Sequence, residues 1–355
     1  MALKFISTKI VRIVRETPEA VSICFENPDK QVFNFIPGQY LTLKVNIDGH
    51  RFNRAYSLSS CPYTDADLVV TVKVTPGGKV STWINQSLKE GMQMEILPPL
   101  GNFTALLNPA NNKHYILIGA GSGITPLMSI LRSVLHLEPN SKITLLYGNR
   151  DENSIIFEKT LKALKEQNPN RLEVIHSLSQ GSSEWTGNKG RLNIEKIKEL
   201  LEHIPTQSNN EYFICGPSGM MAEAKEYLKI AGIPTIQIHE EHFSAPLTHA
   251  DEDEQPKSAG NEPIPAQVTV ILDGKESQIQ VKPSESILDA CLDHDIDPPY
   301  ACMIGSCCTC KAKLISGKVI MDDREGLSDK EIAAGYILTC QSHPITEDVT
   351  VNYDA

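Results

Sequence analysis

The first hundred residues alternate apolar and polar side chains in short runs, with the period of two that half-buried strands show. The runs are FISTKIVRIV, AVSICFE, YLTLKVNI, DLVVTVKVT and MQMEIL. Proline and glycine separate them at Pro37-Gly38, Pro76-Gly77-Gly78 and Pro98-Pro99. One short helix is predicted near residues 80–88. Short strands at this spacing predict an antiparallel Greek-key β-barrel over residues 1–106.

The pattern changes after Asn111 to buried strands that alternate with helices. Strands are predicted for YILIGAG, KITLLYG, RLEVIHSL, EYFICG and TIQIHE. Helices are predicted at residues 124–137 and near residues 154–166, 194–203 and 219–231. This alternation is typical of a doubly wound α/β parallel sheet, here over residues 107–243. Such sheets bind ligands at the carboxyl ends of their strands.

A third unit follows a polar segment. Residues 244–265 contain four consecutive acids and four prolines, a composition that predicts a flexible linker. From Ala266 onward, the runs VTVILDG and SQIQVKP predict a hairpin, followed by a helix near residues 287–294 and a cysteine-rich loop. The last domain is therefore expected over residues 266–355. The linker would let it swing, unless contacts between the domains hold it in place.

Composition and charge narrow the class of protein. The 355 residues are 41% hydrophobic, and no apolar run approaches the ~20 residues of a membrane span. The start MALKFISTKI has no secretory apolar core, so a cytoplasmic location is expected. The net charge is −11, and residues 266–355 carry 15 acidic but only 7 basic side chains. This balance argues against nucleic acid and favours docking of the last domain on a basic protein surface.

Six of the nine cysteines lie in the last domain, and five of them fall between residues 302 and 340. Four of them follow the spacing C-x4-C-x2-C with a fourth cysteine 30 residues later, and these are Cys302, Cys307, Cys310 and Cys340. This spacing is that of plant-type [2Fe–2S] ferredoxins. A structural zinc site is the alternative, although zinc ligands usually come in closely spaced pairs. Cys308 is off the spacing and is expected to be a packed or semi-exposed thiol rather than a ligand, and Cys291 is expected to be a core residue.

Three further segments carry residue types that bind flavins and nucleotides. Residues 54–57 (RAYS) follow a strand break, and they offer an arginine for a diphosphate, a tyrosine for a flat ring and a serine for a ring nitrogen. Residues 77–82 open the short helix, whose free N–H groups suit a phosphate. Residues 119–126 (GAGSGITP) lie between a strand and a helix, where glycine lets a pyrophosphate approach. Residues 215–219 (CGPSG) repeat the glycine turn, and each of these turns alone is also compatible with an ordinary turn.

In this order the motifs resemble the ferredoxin–NADP reductase superfamily, in particular members with a plant-type ferredoxin fused at the C-terminus. The segments that carry the resemblance are RAYSLSS, GAGSGITPLMSIL, YGNR, FICGPSGMM, PPYACMIGSCCTCKAKL and EIAAGYILTCQSHPITEDVTVNYDA. Within the superfamily the chain is most similar to the reductase components of phenylacetyl-CoA epoxidase complexes, which serve phenylacetate degradation. The resemblance implies a FAD-binding barrel, an NAD(P)-binding α/β domain and a β-grasp-like ferredoxin domain. It implies an oxidoreductase that passes electrons from NADPH through FAD and a [2Fe–2S] cluster to an oxygenase, which would dock on the acidic last domain.

The resemblance also assigns residues to each cofactor. The flavin would be held by Arg54, Ala55, Tyr56, Ser57, Val72, Lys73, Lys79, Val80 and Ser81. The nicotinamide nucleotide would be held by Gly121, Gly123, Thr125, Pro126, Asn149, Arg150, Arg191, Cys215, Gly216 and Pro217. Glu241 and Phe243 would close the second domain beside the flavin. Ser57, Cys215 and Glu241 would thus flank the reacting rings, and the four cysteines would hold the cluster.

The nucleotide and the acceptor stay open at this point. NADP-specific members carry an arginine directly after the serine of the third strand, but here Leu178 follows Ser177. No acid at that strand end selects NADH either, and Arg150 and Arg191 could reach a 2′-phosphate, which favours NADPH. The acceptor could be another oxygenase, a desaturase or a hybrid-cluster protein. A zinc-stabilised interaction module without redox activity is the alternative from another class.

Overall fold

The computed structural model describes residues 3–243 and 262–355. Most of the predicted linker, residues 244–261, lies outside the described residues. Three main sheets make up the described part of the chain. No helix in that part is both long enough and apolar enough to cross a bilayer.

The first unit is a closed antiparallel sheet. Its elements are β1 (Ile6–Thr17), β2 (Ala20–Phe25), β3 (Tyr40–Ile47), β4 (His50–Ser57), β5 (Leu68–Lys73), α1 (Lys79–Ser87) and β6 (Gln93–Ile96). The strand order is β4-β3-β6-β1-β2-β5, and a bridge between Leu58 and Val70 joins the two outer strands. Alternate residues of β3 such as Leu41 and Leu43 fill the interior. The predicted antiparallel barrel is confirmed.

One part of the barrel prediction is wrong, because residues 54–57 do not follow a strand break but lie inside β4. This strand pairs with β3 along its whole length and ends with Ser57 opposite Tyr40. Asp48 and Gly49 form the turn between the two strands, with φ angles of 53° and 78°. Two-residue hairpin turns require such positive angles. This strand is not predicted from the sequence because HRFNRAYS contains few strongly apolar residues.

The second unit is a parallel sheet with an apolar core on each face. Its elements are β7 (His114–Ala120), α2 (Ile124–Leu137), β8 (Lys142–Asn149), α3 (Glu158–Gln167), β9 (Leu172–Leu178), β10 (Asn188–Lys189), α4 (Ile194–Leu201), β11 (Asn210–Cys215), α5 (Ser218–Ile230) and β12 (Ile238–Glu241). The order β10-β9-β8-β7-β11-β12 confirms the doubly wound fold. Helix α3 begins later than predicted because Phe157 adopts a left-handed conformation, with φ 64°.

The third unit is a mixed sheet crossed by one helix. Its elements are β13 (Ala266–Leu272), β14 (Lys275–Val281), α6 (Ile287–Asp293), β15 (Lys311–Ser316), β16 (Val319–Met321), α7 (Asp329–Ala333), β17 (Tyr336–Leu338), β18 (Ser342–Pro344) and β19 (Asp348–Asn352). The strand order is β14-β13-β19-β15-β17, with β13 and β19 parallel, and β16 and β18 form a separate pair. Cys291 on α6 lies in the core, as expected. The predicted hairpin and β-grasp-like fold are confirmed.

Helix α2 ties the parallel-sheet unit to the barrel. Arg132 donates to both carboxylate oxygens of Asp65 at 2.6 and 2.7 Å. Ser129 on the same helix donates to the carbonyl of Ser60 at 2.6 Å. Burial by itself would raise the pKa of Asp65, but the hydrogen bonds from Arg132 outweigh it and hold the pKa below its ordinary value. The two units are therefore joined by a charged contact and a neutral one.

Candidate functional site

Strand β4 presents several of the candidate flavin residues. Arg54 and Tyr56 are two positions apart and so point to the same side of the strand. The Arg54 guanidinium lies 5.8 Å from the centroid of the Phe52 ring and is exposed. Ser57 is only 4% exposed, and its hydroxyl forms no hydrogen bond within the described residues. The guanidinium also donates to the Asn53 carbonyl at 2.7 Å. An exposed guanidinium, a half-buried phenol and an unpaired hydroxyl fit a flavin diphosphate, ring face and ring nitrogen.

The start of helix α1 fits a phosphate. The helix begins after Gly78 without a side-chain cap, so its first N–H groups remain available. Ser81 Oγ accepts a hydrogen bond from the Thr75 N–H at 3.1 Å and donates to the Gly78 carbonyl at 3.3 Å. These bonds shape the loop before the helix. The ammonium group of Lys79 is half-exposed beside it, 3.6 Å from Asp48.

The remaining flavin candidates differ in what they can offer a ligand. The side chains of Val72 and Val80 are 1% and 4% exposed in the barrel core, so only their backbone groups can face a cofactor. Lys73 points towards the second unit, where its Nζ would lie 3.8 Å from a Cβ placed on Gly121. Ala55 points to the opposite side of β4 from Arg54 and packs against the cysteine-rich loop of the third unit.

The glycine loop between β7 and α2 packs backbone to backbone against the turn after β11. A Cβ on Gly123 would lie 2.0 Å from the Cys215 carbonyl oxygen, so only glycine fits there. Gly121 has φ 55°, and a Cβ placed on it would meet the Lys73 Nζ atom at 3.8 Å. Helix α2 starts after Gly123 without a side-chain cap, and so does α5 after Pro217. A glycine loop beside a lysine ammonium group, together with helices that lack side-chain caps, fits a pyrophosphate.

Side chains support this loop from below. Thr125 donates to the Ser122 carbonyl at 3.0 Å, and Pro126 stands in the first turn, where no intrahelical partner for an N–H exists. Tyr147, which is fully buried on β8, donates to the Gly121 carbonyl at 2.9 Å. Sequence reasoning missed Tyr147 as a supporting residue, since a tyrosine inside an apolar strand is usually only a core residue.

The carboxyl ends of β8 to β10 carry the other nucleotide candidates. Both polar atoms of the Asn149 amide are buried without a partner in the described ranges, which fits a ligand that would pair with them. Arg150 already forms ion pairs with Asp151 at 3.0 Å and Glu19 at 3.4 Å. Arg191 follows β10, is exposed, and forms no ion pair with any described residue. The two arginines are therefore not equivalent.

Cys215 and Glu241 lie side by side at the ends of neighbouring parallel strands. They are register partners on β11 and β12. Cys215 is fully buried, and burial together with the charge of Glu241 raises the pKa of its thiol well above the ordinary value. Burial and the nearby Cys302 raise the pKa of Glu241 to about 8. Phe243, 40% exposed, leaves its ring free to cover a flat ligand.

The four candidate cluster ligands come together in the third unit. The Cys302 thiol contacts those of Cys307 and Cys340, and Cys340 also contacts Cys310. The Ile304 N–H points at Cys302 Sγ over 3.5 Å, a donor that fits a cluster thiolate. Four cysteine thiols brought together with the spacing of plant-type ferredoxins fit a two-iron cluster.

The cysteine loop, residues 301–310, rests on the outer face of the β3–β4 hairpin, and we call this contact the loop seam. Tyr40, 3% exposed, accepts a hydrogen bond from the Cys308 N–H at 3.1 Å. The Tyr40 hydroxyl also lies 3.0 Å from Thr309 Oγ1, and Thr42 Oγ1 lies 3.3 Å from the same atom. Of the two expected environments, packed and semi-exposed, Cys308 has the packed one. Nothing in the sequence indicated its partner.

Polar pairs surround the loop seam, and in each the third unit supplies the acid. They are Arg51–Asp297, Lys4–Asp273 and Asn102–Glu331. The Arg51 guanidinium also lies 5.8 Å from the centroid of the Tyr300 ring. A cavity of about 150 Å³ opens beside the seam and is lined by residues of all three units, including Tyr40, Glu241 and Cys307. The candidate flavin strand, the end of β12 and the cysteine loop therefore meet at one junction.

Comparison with known proteins identifies the three units separately. Residues 8–105 match the "Oxidoreductase FAD-binding domain", residues 117–226 the "Oxidoreductase NAD-binding domain" and residues 270–344 the "2Fe-2S iron-sulfur cluster binding domain". These matches support FAD, a pyridine nucleotide and a [2Fe–2S] cluster as cofactors. They do not distinguish NADPH from NADH.

Relatives match over nearly the whole chain. One of the subunits of the 1,2-phenylacetyl-CoA epoxidase of Escherichia coli (strain K12) is 38% identical over 99% of this chain and 98% of its own. The ferredoxin reductase component of 3-ketosteroid-9-alpha-monooxygenase from Rhodococcus rhodochrous is 36% identical over 96% and 95%. The solved structure of a phthalate dioxygenase reductase covers 98% of both chains with a TM-score of 0.59 and 23% identity. This last likeness shows the shared fold.

Proposed function

We propose that this chain, which belongs to the family of FAD- and [2Fe–2S]-containing reductase components of oxygenase systems, takes electrons from NADPH and delivers them to an oxygenase that epoxidises phenylacetyl-CoA. The observation that carries the choice of acceptor is the 38% identity with a protein of an epoxidase complex across 99% of the chain. The similarity includes the acidic third unit, which a docking oxygenase would meet. The 36% identity with a 3-ketosteroid monooxygenase reductase supports a second candidate acceptor.

The residues of each unit take separate tasks in this proposal. When bound, FAD supplies the ability to accept a hydride and to release electrons one at a time. Tyr56 and Ser57 would orient its ring, while Arg54 and the start of α1 would bind its phosphates. The glycine loop, Asn149 and the turn at residues 215–217 would bind the pyridine nucleotide. The residues proposed to hold the cluster are Cys302, Cys307, Cys310 and Cys340.

Cys215 and Glu241 would flank the reacting rings as neutral groups. The raised pKa of Cys215 keeps its thiol protonated at neutral pH, so it would place no anion beside the nicotinamide. Burial raises the pKa of Glu241 to about 8, which favours the protonated form of its carboxyl group. Neutral, buried side chains exclude water without competing for a hydride. No side chain is required as an acid or base.

The choice of NADPH rests on Arg191. This residue stands beside the end of β9 without an ion pair in the described ranges, where a guanidinium could bind a 2′-phosphate. Arg150 is the weaker candidate because Asp151 and Glu19 already neutralise it. No acidic side chain follows Ser177 on β9 to favour NADH.

The experiment that tests this function begins with the visible spectrum of the anaerobically purified protein. NADPH should bleach both flavin and cluster bands, and NADH should do so less effectively. The reduced protein is then mixed with the oxygenase component of the Escherichia coli epoxidase and phenylacetyl-CoA, and the epoxide is quantified by mass spectrometry. A 3-ketosteroid monooxygenase serves as the matched control acceptor. Bands that ignore both nucleotides would overturn the function, and equal rates with the control acceptor would overturn the choice of epoxidase.

We further propose the domain boundaries 1–106, 107–243 and 266–355, with residues 244–265 as linker, and a cytoplasmic location. All nine cysteines are described and none forms a disulfide. Cysteines that bind a cluster or remain as thiols, rather than forming disulfides, are typical of a reducing compartment. The acidic third unit would form the docking surface for the oxygenase.

A further inference from the structure

The loop seam joins two parts of the chain that the proposed function requires to exchange electrons. Tyr40 and Ser57 are register partners on β3 and β4, so their side chains point to the same side of the hairpin. The hydroxyl of Tyr40 then reaches the cysteine loop 268 residues further along the chain. One tyrosine therefore contacts the loop directly from the strand next to the candidate flavin strand.

A chain of hydrogen-bonding groups continues from Tyr40 into the candidate cluster ligands. Tyr40 Oη lies 3.0 Å from Thr309 Oγ1, and Thr309 Oγ1 lies 3.5 Å from Cys307 Sγ. Tyr40 also accepts the N–H of Cys308 at 3.1 Å. Tyr40 and Thr309 are 3% and 1% exposed, so no water competes for these bonds. These hydrogen bonds therefore constrain both the orientation of the cysteine loop and its distance from Tyr40.

We propose that Tyr40 is a positioning residue that holds the cysteine loop on the flavin-binding hairpin for electron transfer between the two cofactors. The inference rests on the proposed function and adds to it a residue that no motif in the sequence indicates. Tyr40 acts through the loop and takes no part in hydride transfer. The charged pairs around the seam set the approach of the third unit, and the buried Tyr40 hydroxyl sets its final register.

Cys308 offers a readout that does not depend on electron transfer. Its thiol is 6% exposed, lies 3.4 Å from the Tyr40 hydroxyl, and is outside the four-cysteine spacing. Iodoacetamide should therefore alkylate it only when the loop leaves the hairpin. The alkylation rate of the holoprotein, located at Cys308 by tandem mass spectrometry, measures how often the seam opens.

The test compares Tyr40→Phe with Tyr212→Phe, which removes another buried hydroxyl, one bonded to Asn210 far from the seam. We expect Tyr40→Phe to raise the Cys308 alkylation rate about tenfold, because it leaves the buried Cys308 N–H without an acceptor. In stopped flow, NADPH should bleach the flavin at the wild-type rate but the cluster more slowly. The electron paramagnetic resonance signal of the reduced cluster should also shift, since Thr309 loses a neighbour.

Thr42→Val is a second test variant, because valine has nearly the same shape as threonine. It should change the alkylation rate and the rate of cluster reduction in the same directions as Tyr40→Phe, but by smaller factors. Alkylation and cluster reduction at wild-type rates in Tyr40→Phe would overturn the proposal, as would equal effects in Tyr212→Phe. Slowing of flavin reduction to the same extent as cluster reduction would also overturn it, because Tyr40 would then act on the flavin. A wild-type protein that NADPH does not bleach overturns the proposed function, whereas the alkylation comparison still tests Tyr40.

Discussion

Gly123 lies so close to Cys215 that a Cβ on the glycine would be 2.0 Å from the carbonyl oxygen of the cysteine. This contact joins the glycine loop after β7 to the turn after β11, and a helix without a side-chain cap begins at each of them. The proposed nucleotide site therefore depends on two backbones that touch. A methyl group between them would separate the loops.

We expect Gly123→Ala to lower the free energy of unfolding by more than about 1–3 kcal/mol, because backbone atoms cannot yield as side chains can. It should also weaken NADPH binding, as measured by fluorescence titration. Gly219→Ala is the matched control, since a Cβ there meets no atom within 4 Å. That variant should be neutral or more stable by up to about 1 kcal/mol, as alanine favours a helix. Equal destabilisation of both variants would contradict the packing argument.

The four candidate cluster ligands can be separated from the other thiol in the loop. Cys302→Ser or Cys310→Ser should lower electron delivery to the oxygenase more than about a hundredfold, since even loss of a group that only supports a metal ligand typically costs about 10- to 100-fold. Ferricyanide reduction by NADPH should persist, because it needs only the flavin. Cys308→Ser should retain the cluster, as shown by its absorbance. Loss of ferricyanide reduction in Cys302→Ser would show that the two cofactors do not act separately.

Arg191 and Arg150 should respond differently to substitution. Arg191→Ala should raise the KM for NADPH about 10- to 100-fold, which corresponds to one lost charge-assisted hydrogen-bonded pair with a phosphate. The KM for NADH should stay the same. Arg150→Ala is the control, and steady-state kinetics with both nucleotides provides the measurement. An unchanged preference for NADPH in Arg191→Ala would remove this residue from the proposed site.

The Asp65–Arg132 pair predicts a dependence of stability on pH. The pKa of Asp65 is lower in the folded protein than its unfolded value of about 3.9. Its contribution is therefore fully present above about pH 4 and is lost as the pH falls through the folded pKa. Asp65→Asn should lower the free energy of unfolding at pH 7 by about 1.5–3 kcal/mol. Thermal unfolding of both proteins checks this, and the difference should shrink below about pH 4.

Asp293→Asn serves as the control for that experiment, because Asp293 is exposed and forms no ion pair with any described residue. Its stability should follow that of the wild-type protein at every pH. A difference between Asp65→Asn and wild type that did not change with pH would mean that the charge of Asp65 is not what stabilises the contact.

Salt should slow electron transfer to the oxygenase more than electron transfer within the reductase. Encounter with the oxygenase should slow as ionic strength rises, because charges are screened beyond about 8–10 Å at physiological ionic strength. Reduction of the cluster within the reductase should change less, since the Tyr40 and Thr309 hydroxyls at the loop seam are buried and uncharged. Stopped-flow rates with and without oxygenase, measured over a series of NaCl concentrations, give both dependences. Equal salt dependence would contradict this division.

Local patterns were sufficient to predict much of the architecture. The strand–helix alternation, the cysteine spacing and the glycine loops all depend on residues close together in sequence. Strand β4 was missed because its polar residues are typical of a loop. One of them, Arg51, contacts Tyr300 across the loop seam, and a partner so remote in the chain cannot be predicted from local patterns. Thr42 and Tyr40 are buried by the third unit, and no period within β3 distinguishes such burial from exposure. The predicted site residues themselves remain predictions.

The acids of the third unit that face the barrel limit which ferredoxin domains could be exchanged between reductases. Asp297, Asp273 and Glu331 each meet a particular donor on the barrel. A grafted domain would need acids at these three places and a small hydroxyl residue at the position of Thr309. Two reductases whose clusters are chemically interchangeable could therefore have barrel and ferredoxin domains that do not fit each other. A chimera would succeed only when the contacting surfaces of both domains are transplanted together.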